Sequence, residues 1–191
     1  MKLSIVTAAV LATSMLAAPA LAASVTGPRV EAIIGYDNVR TELADHVDGT
    51  ADGVFYGLGV GYDLGIGANS SIGLDAEITD SDTDATLTDG LDTATLRADR
   101  DIYVGGRFTT AVNDKLALYA KAGYTNARFK ERGTVGGVPF RTSDELDGVR
   151  AGLGAQYALG QNAYLGTEYR YSNYENDVTR HQVAATVGYR F

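Results

Sequence analysis

The 191 residues include no cysteine and no tryptophan, and only three prolines, two histidines and two methionines. With no cysteine there is no disulfide framework and no lipidated N-terminal thiol, so stability has to come from the fold and its surroundings. With only His46 and His181, a catalytic constellation built on histidine has little to draw on. No apolar run beyond the first residues reaches the length of a membrane-spanning helix. Cations are scarce as well: 16 Lys and Arg stand against 24 Asp and Glu, a formal charge of −8. That balance disfavours nucleic acid, which calls for clustered Lys and Arg. Glycine-rich phosphate loops, zinc-ligand spacing and nucleophile elbows are all missing.

What is present begins with M-K-L-S-I-V-T-A-A-V-L-A-T-S-M-L-A-A-P-A-L-A-A. Lys2 supplies a short positive region, Leu3 to Leu16 an apolar one, and Ala20-Leu21-Ala22 a small-x-small cleavage pattern after Pro19. Residues 1–22 are therefore expected to be a secretory signal peptide, with cleavage after Ala23 as the alternative. A spanning helix would need about 20 apolar residues and a stop-transfer flank. Residues 23–191 are expected to form one domain, with nothing following its last strand.

That last stretch, Arg180 to Phe191, organises the rest. Val183, Ala185, Val187, Tyr189 and Phe191 alternate with Gln182, Ala184, Thr186, Gly188 and Arg190, an apolar face against a small or polar one. This is a period-2 strand. Seven earlier segments repeat it: Arg29 to Val39, Val54 to Leu64, Ser70 to Thr79, Arg100 to Ala111, Lys115 to Phe129, Asp147 to Leu159 and Ala163 to Tyr171. Connections after the second, fourth and sixth strands are a few residues long. Those after the first, third and fifth are long, and the one after the seventh is intermediate.

The aromatic ending resembles the terminal signature of bacterial outer-membrane β-barrels. The alternation of short turns and long loops resembles the same group, in which turns are periplasmic and loops face outward. The implied fold is all-β, an eight-stranded antiparallel up-and-down transmembrane barrel similar to the small OmpA- and OmpX-type barrels and to opacity- or porin-like surface proteins. The 23 glycines, 12 tyrosines and 5 phenylalanines suit strands and aromatic girdles, and the mean hydropathy of −0.08 suits strands with one apolar face. The resemblance implies outer-membrane localisation and a role for Val187, Tyr189 and Phe191 as the signal read by the barrel-assembly machinery. A soluble lipocalin-like barrel is the rival fold. It would turn its apolar face inward, burying ligand and not charge, and the polarity of the faces speaks against it.

The polar face carries Glu31, Asp75, Glu77, Asp101, Arg107, Lys121, Arg150, Glu168, Arg170 and Arg190. Eight strands leave an interior that side chains can fill. Two readings stay open: a plugged core with acids and bases paired across strands, favoured because unpaired buried charge is costly, and a narrow ion path gated by a switching pair. The stretch Asp80 to Asp99 opens like a calcium loop with Asp80, Asp82 and Asp84. Ala85 then stands where glycine is needed and Leu91 where glutamate is needed, so it reads as a solvated acidic loop. Lys130 to Leu146 reads as a loop with an apolar tip at Val138-Pro139-Phe140. Enzymes on such barrels, the lipid A deacylases and omptin-type proteases, need a histidine constellation that neither His46 nor His181 supplies.

The expected function is a structural or surface-interaction scaffold of the adhesion or opacity type displaying four outer loops, with a small porin-like channel as the alternative. The chain is expected not to be an enzyme and to use no cofactor or metal. Its expected partners are outer-membrane lipids and lipopolysaccharide, the assembly machinery and a surface partner reached through the loops. Nucleic acid is not among them, and the chain is expected to be a monomer.

Overall fold

The computed structural model describes residues 25–43, 47–82, 84–89, 92–135, 138–175 and 178–191; residues 1–22, where a signal peptide is expected, and His46 lie outside the described residues. The described residues form nine strands and no helix: β1 (Gly27–Leu43), β2 (Val47–Gly65), β3 (Ser70–Ser81), β4 (Asp84–Asp89), β5 (Asp92–Ala111), β6 (Leu116–Val135), β7 (Val138–Ala158), β8 (Ala163–Tyr174) and β9 (Val178–Arg190). Every pairing is antiparallel. β1 pairs with both β2 and β9, while β3 pairs with β5 to complete the ring. The result is a closed barrel of eight staves. β4 is not a stave; it continues the line of β3 beside the distal half of β5, with Asp84 opposite Arg97.

Closure leaves the staves no free edge to aggregate through, which the alternation needs when one whole face is apolar. The last strand locks into this ring. Phe191 N donates to the carbonyl of Pro28 at 2.9 Å, and Arg190 N to that of Asn162 at 2.8 Å. The tight turn between β5 and β6 is held by Asn113, whose Oδ1 accepts from the backbone N of Lys115 and of Leu116, both at 2.9 Å.

Strands run further than the sequence pattern suggests. Lys130 to Leu146, read as a loop, is a ladder from Lys130↔Ser143 up to Val135↔Val138. Most of Asp80 to Asp99, read as an acidic loop, is the β4–β5 hairpin. The reason is physical. On β7 the consecutive residues 141–145 are all exposed, so both faces meet water and hydrophobic alternation stops there, yet backbone pairing continues, as it does between β4 and β5 through β-forming residues such as Thr86, Thr88, Thr93 and Thr95.

Outward positions carry the apolar residues, including Leu58, Leu74, Val104, Leu153 and Val187. Exposed rings bound this band at both ends: Tyr36, Tyr56, Tyr124, Tyr169 and Tyr171 toward the hairpins, and Tyr62, Phe108, Tyr157, Tyr189 and Phe191 toward the short turns. The other face turns inward and is polar. Inward glycines make room for large inward rings. A Cβ on Gly188 would collide with the Tyr164 ring, and one on Gly154 with that of Tyr119.

Candidate functional site

Among the described residues the barrel interior holds seven acidic residues, Glu31, Asp37, Asp63, Asp75, Glu77, Asp101 and Glu168, and seven basic ones, Arg29, Arg107, Lys121, Arg150, Arg170, Arg180 and Arg190, all buried. They fall into three storeys, each with as many acids as bases.

Nearest the short turns, Arg29 Nε binds Asp63 Oδ2 at 2.8 Å and also pairs with Asp75 and, at 3.3 Å, Glu31. Arg190 reaches the same Asp63 oxygen at 3.0 Å. Arg107 lies 3.4 Å from Glu31, and its guanidinium stacks 3.6 Å above the Tyr119 ring. Tyr164 donates its hydroxyl to Glu31 at 2.7 Å.

In the middle storey Lys121 bridges Glu77 and Glu168, the latter at 2.8 Å. Arg170 spans the same two carboxylates at 3.1 and 2.6 Å, and Tyr119 donates to Glu168 at 2.6 Å. Two cations shared by two anions form a closed square in which removal of any corner strands a charge.

The third storey centres on Asp101. It accepts from Arg180 Nη1 at 2.8 Å, Thr125 Oγ1 at 2.8 Å and Tyr174 at 2.9 Å, and it pairs with Arg150. Arg180 also grips Asp37 through Nε at 2.7 Å. Above this storey Val39, Ala127, Phe129, Tyr174 and Val178 pack into an apolar cluster, with Leu146 against it, at the hairpin end of β1 and β6 to β9.

All ten charged residues singled out on the polar face therefore lie inside, and each is paired with an opposite charge. Arg29, Asp37, Asp63 and Arg180 belong to the same network and were not singled out. Asp37 and Asp63 do sit in the polar register of their strands, which could have found them. Arg29 and Arg180 are the end residues of their segments, where alternation cannot be judged from both sides. Val187, Tyr189 and Phe191 all point outward, with the rings of Tyr189 and Phe191 edge-on at 5.0 Å.

His181 also lies on the wall's outer side, its Nδ1 2.7 Å from the Tyr169 hydroxyl and its ring 5.1 Å from that of Tyr171. Beyond the girdle, outward charges lie at the surface. Arg128 Nε donates to Glu145 at 3.0 Å, and Lys130 binds Asp99 at 2.7 Å. The hydrogen bond from Lys130 holds the Asp99 carboxyl below the usual carboxylate range.

No curated protein sequence matches this chain. Among solved structures it is similar to the attachment invasion locus protein Ail of Yersinia pestis, with 18% identity, 87% of this chain and 99% of that one covered, and a TM-score of 0.56. It is similar to the Neisserial surface protein A at 17% identity, covering 87% and 98%, with a TM-score of 0.58. The N-terminal barrel of Pseudomonas aeruginosa OprF follows at 12% identity, 87% and 98%, and 0.51. At such identities these likenesses speak for the fold alone. Residues 8–191 match the family described as the outer membrane protein beta-barrel domain. The chain belongs to that outer-membrane β-barrel family.

Proposed function

We propose that this barrel is a charge-locked scaffold in the bacterial outer membrane whose role is surface interaction of the adhesion or opacity type, carried by its outer hairpins. The observation that carries this reading is the lumen: among the described residues, fourteen buried charges in three neutral storeys, with an apolar cluster beyond them at the hairpin end, leave no row of like charge to attract one ion sign. The hairpins offer what the lumen does not. Val138, 67% exposed, stands beside the tip of β6–β7, flanked by charged positions that meet solvent. Two relatives of the same fold are by name an attachment protein and a surface protein, which favours this class of role. On this reading the chain is not an enzyme, binds no cofactor and works as a monomer after folding by the assembly machinery.

Planar-bilayer recording of the refolded protein tests the lumen half. The expected result is no steady conductance and at most small intermittent currents. A large steady current would replace the scaffold with a porin-like channel. Shortening the β6–β7 hairpin, on cells displaying the protein, tests the other half. Adherence to a host-cell or matrix surface should fall while the barrel stays in the membrane, and unchanged adherence of both forms would remove the surface role.

A further inference from the structure

The hairpins β1–β2 and β6–β7 begin alike and end opposite in charge. They stand across the ring from each other, since β3 and β5 separate them on one side and β8 and β9 on the other. They also start at one height. Asp37, next to Tyr36, and Thr125, next to Tyr124, both belong to the third storey, through Arg180 and Asp101. Just outside the girdle Asn38 donates to Asp52 on the one hairpin, and Asn126 to Asp147 on the other. Further out the registers of Tyr36 and Tyr124 diverge. On β1–β2, Arg40 stands opposite Thr50 and Glu42 opposite Asp48. On β6–β7, Arg128 stands opposite Glu145, Lys130 opposite Ser143 and Arg132 opposite Arg141. Each register thus ends on a like-charged pair, one acidic and one basic, and like charges directly opposite each other are destabilising. The lower cations of β6 are compensated, Arg128 by Glu145 and Lys130 by Asp99. Arg132 and Arg141 are exposed, and among the described residues neither has a carboxylate at ion-pairing distance.

We infer that the two hairpins are the two halves of one contact between copies of this chain: the Glu42–Asp48 end of one barrel meets the Arg132–Arg141 end of the next, side by side in the membrane plane. Register, height and charge select this occupant. Positions 42 and 132 are an even number of residues from Tyr36 and Tyr124, so both pairs share the sheet face of those outward rings, which turns away from the mouth. The two pairs of one molecule are therefore not aimed at each other across its own mouth. Glu42 lies six residues beyond Tyr36 and Arg132 eight beyond Tyr124. At ~3.3 Å per residue and a tilt of roughly 40°, these levels are about 15 and 20 Å above the girdle, a difference that an arginine side chain spans. A second copy, held at that height by its own barrel, gives each pair its complement. An anionic lipid or sugar would suit Arg132 and Arg141 and be repelled by Glu42 and Asp48. Because the two ends lie across the ring from each other, the contact is heterologous and propagates as a row instead of closing as a dimer. Exposed ion pairs are individually weak, so the row is reversible and depends on the density of barrels in the plane. Each copy stays a monomer in its fold and in its surface role, and the contact does not depend on the hairpins meeting an extracellular partner.

The chain has no cysteine of its own, so thiol cross-linking reads the contact directly. Thr50→Cys and Ser143→Cys sit in the two registers and leave every charge in place. Whole barrels carrying T50C and whole barrels carrying S143C are reconstituted together in phospholipid vesicles, with and without lipopolysaccharide, and treated with a short bifunctional maleimide. The mixture should give cross-linked pairs, and either population by itself should give few. The yield should rise with protein density and fall as salt is raised. Adding R132E/R141E to the S143C copy should lower it about fivefold or more, the scale of a few exposed ion pairs. Adding E42R/D48R to the T50C copy should then restore it, a rescue that general misfolding would not show. Equal yields from the mixture and from either population by itself, or a yield blind to the charge reversals, would overturn the contact. Loss of the cross-link when lipopolysaccharide is present would assign the arginine pair to the glycolipid instead. A T50C/S143C chain that bridges within itself in preference to its neighbours would show the hairpins meeting over their own mouth, and would overturn the row as well.

Discussion

Arg150 in the lumen and Arg132 on the outward hairpin wall carry the same charge under opposite constraints. Arg150 is buried, pairs with Asp101, and donates to Ser172 at 2.8 Å and Tyr174 at 3.1 Å. Arg132 is exposed and faces another arginine across the ladder. Inside the barrel, desolvation makes every unmatched charge expensive, so acids and bases occur in equal number and are shared in closed sets. Outside, water screens the charges, and a local excess of one sign is tolerated. Charge composition therefore reports different things in the two places. Balance inside reports a constraint of folding. Imbalance outside is free to report a partner.

The largest effect expected from breaking this contrast comes from Asp101→Ala. It leaves Arg150 and Arg180 facing each other without their shared carboxylate, and should cost about 3–5 kcal/mol, read by urea unfolding in bilayers. Arg132→Gln in the same assay should stay within ~0.5 kcal/mol. Similar losses for both would erase the distinction between the regions.

Next comes the wall that separates them. Leu153 is 65% exposed and sits opposite Ala120, midway along the apolar band, where Leu153→Arg should cost about 2–4 kcal/mol. Leu118 lies one outward step nearer the short turns, and the same change there should cost less. Gln156→Arg enters the lumen 3.3 Å from Glu31 and close to the turn-end mouth, so its penalty should be smaller than that at Leu153. Equal penalties at Leu153 and Gln156 would mean the two faces are not chemically different.

At the closing strand, Tyr189→Ser with Phe191→Ser removes the outward ring pair without touching the lumen. The amount of folded barrel recovered from membranes should fall several-fold, more than for comparable changes in the hairpins. Undiminished levels would show that these rings take no part in assembly.

The stave count, the inward and outward faces and most of the lumen set were legible in the sequence, because a period of two forces every second residue to one side and lipid against polar interior makes that period visible. Three things were not. The β6–β7 extension hides because both faces of its β7 arm are wet. Arg29 and Arg180 hide because strand ends lack a second flank. The grouping into storeys hides because it depends on stagger between strands far apart in sequence: Arg180 meets Asp37, and Tyr164 meets Glu31, only through the closed register.

The smallest effect expected belongs to the collar, and it sharpens the comparison because its charges can be titrated in water. Asp99 keeps a depressed carboxyl pKa through its hydrogen bond to Lys130, against an ordinary value of 3.8. A carboxylate depressed on folding adds stability that is present above the unfolded value and is lost as pH falls through the lower folded one. The β5–β6 pairing near Asp99 should therefore loosen only below pH ~3.8, the ordinary aspartate range, and not near neutrality. Asp99 is partly exposed, so solvent screening keeps the contribution slight. Amide chemical shifts of Asp99 and Lys130, followed from neutral to acid pH, should show this step, and Asp99→Asn should abolish it while leaving lumen resonances unmoved. A step near neutral pH, or one that persists in the Asn variant, would assign the acid sensitivity to other groups and end the use of this pair as the screened counterpart of the lumen bridges.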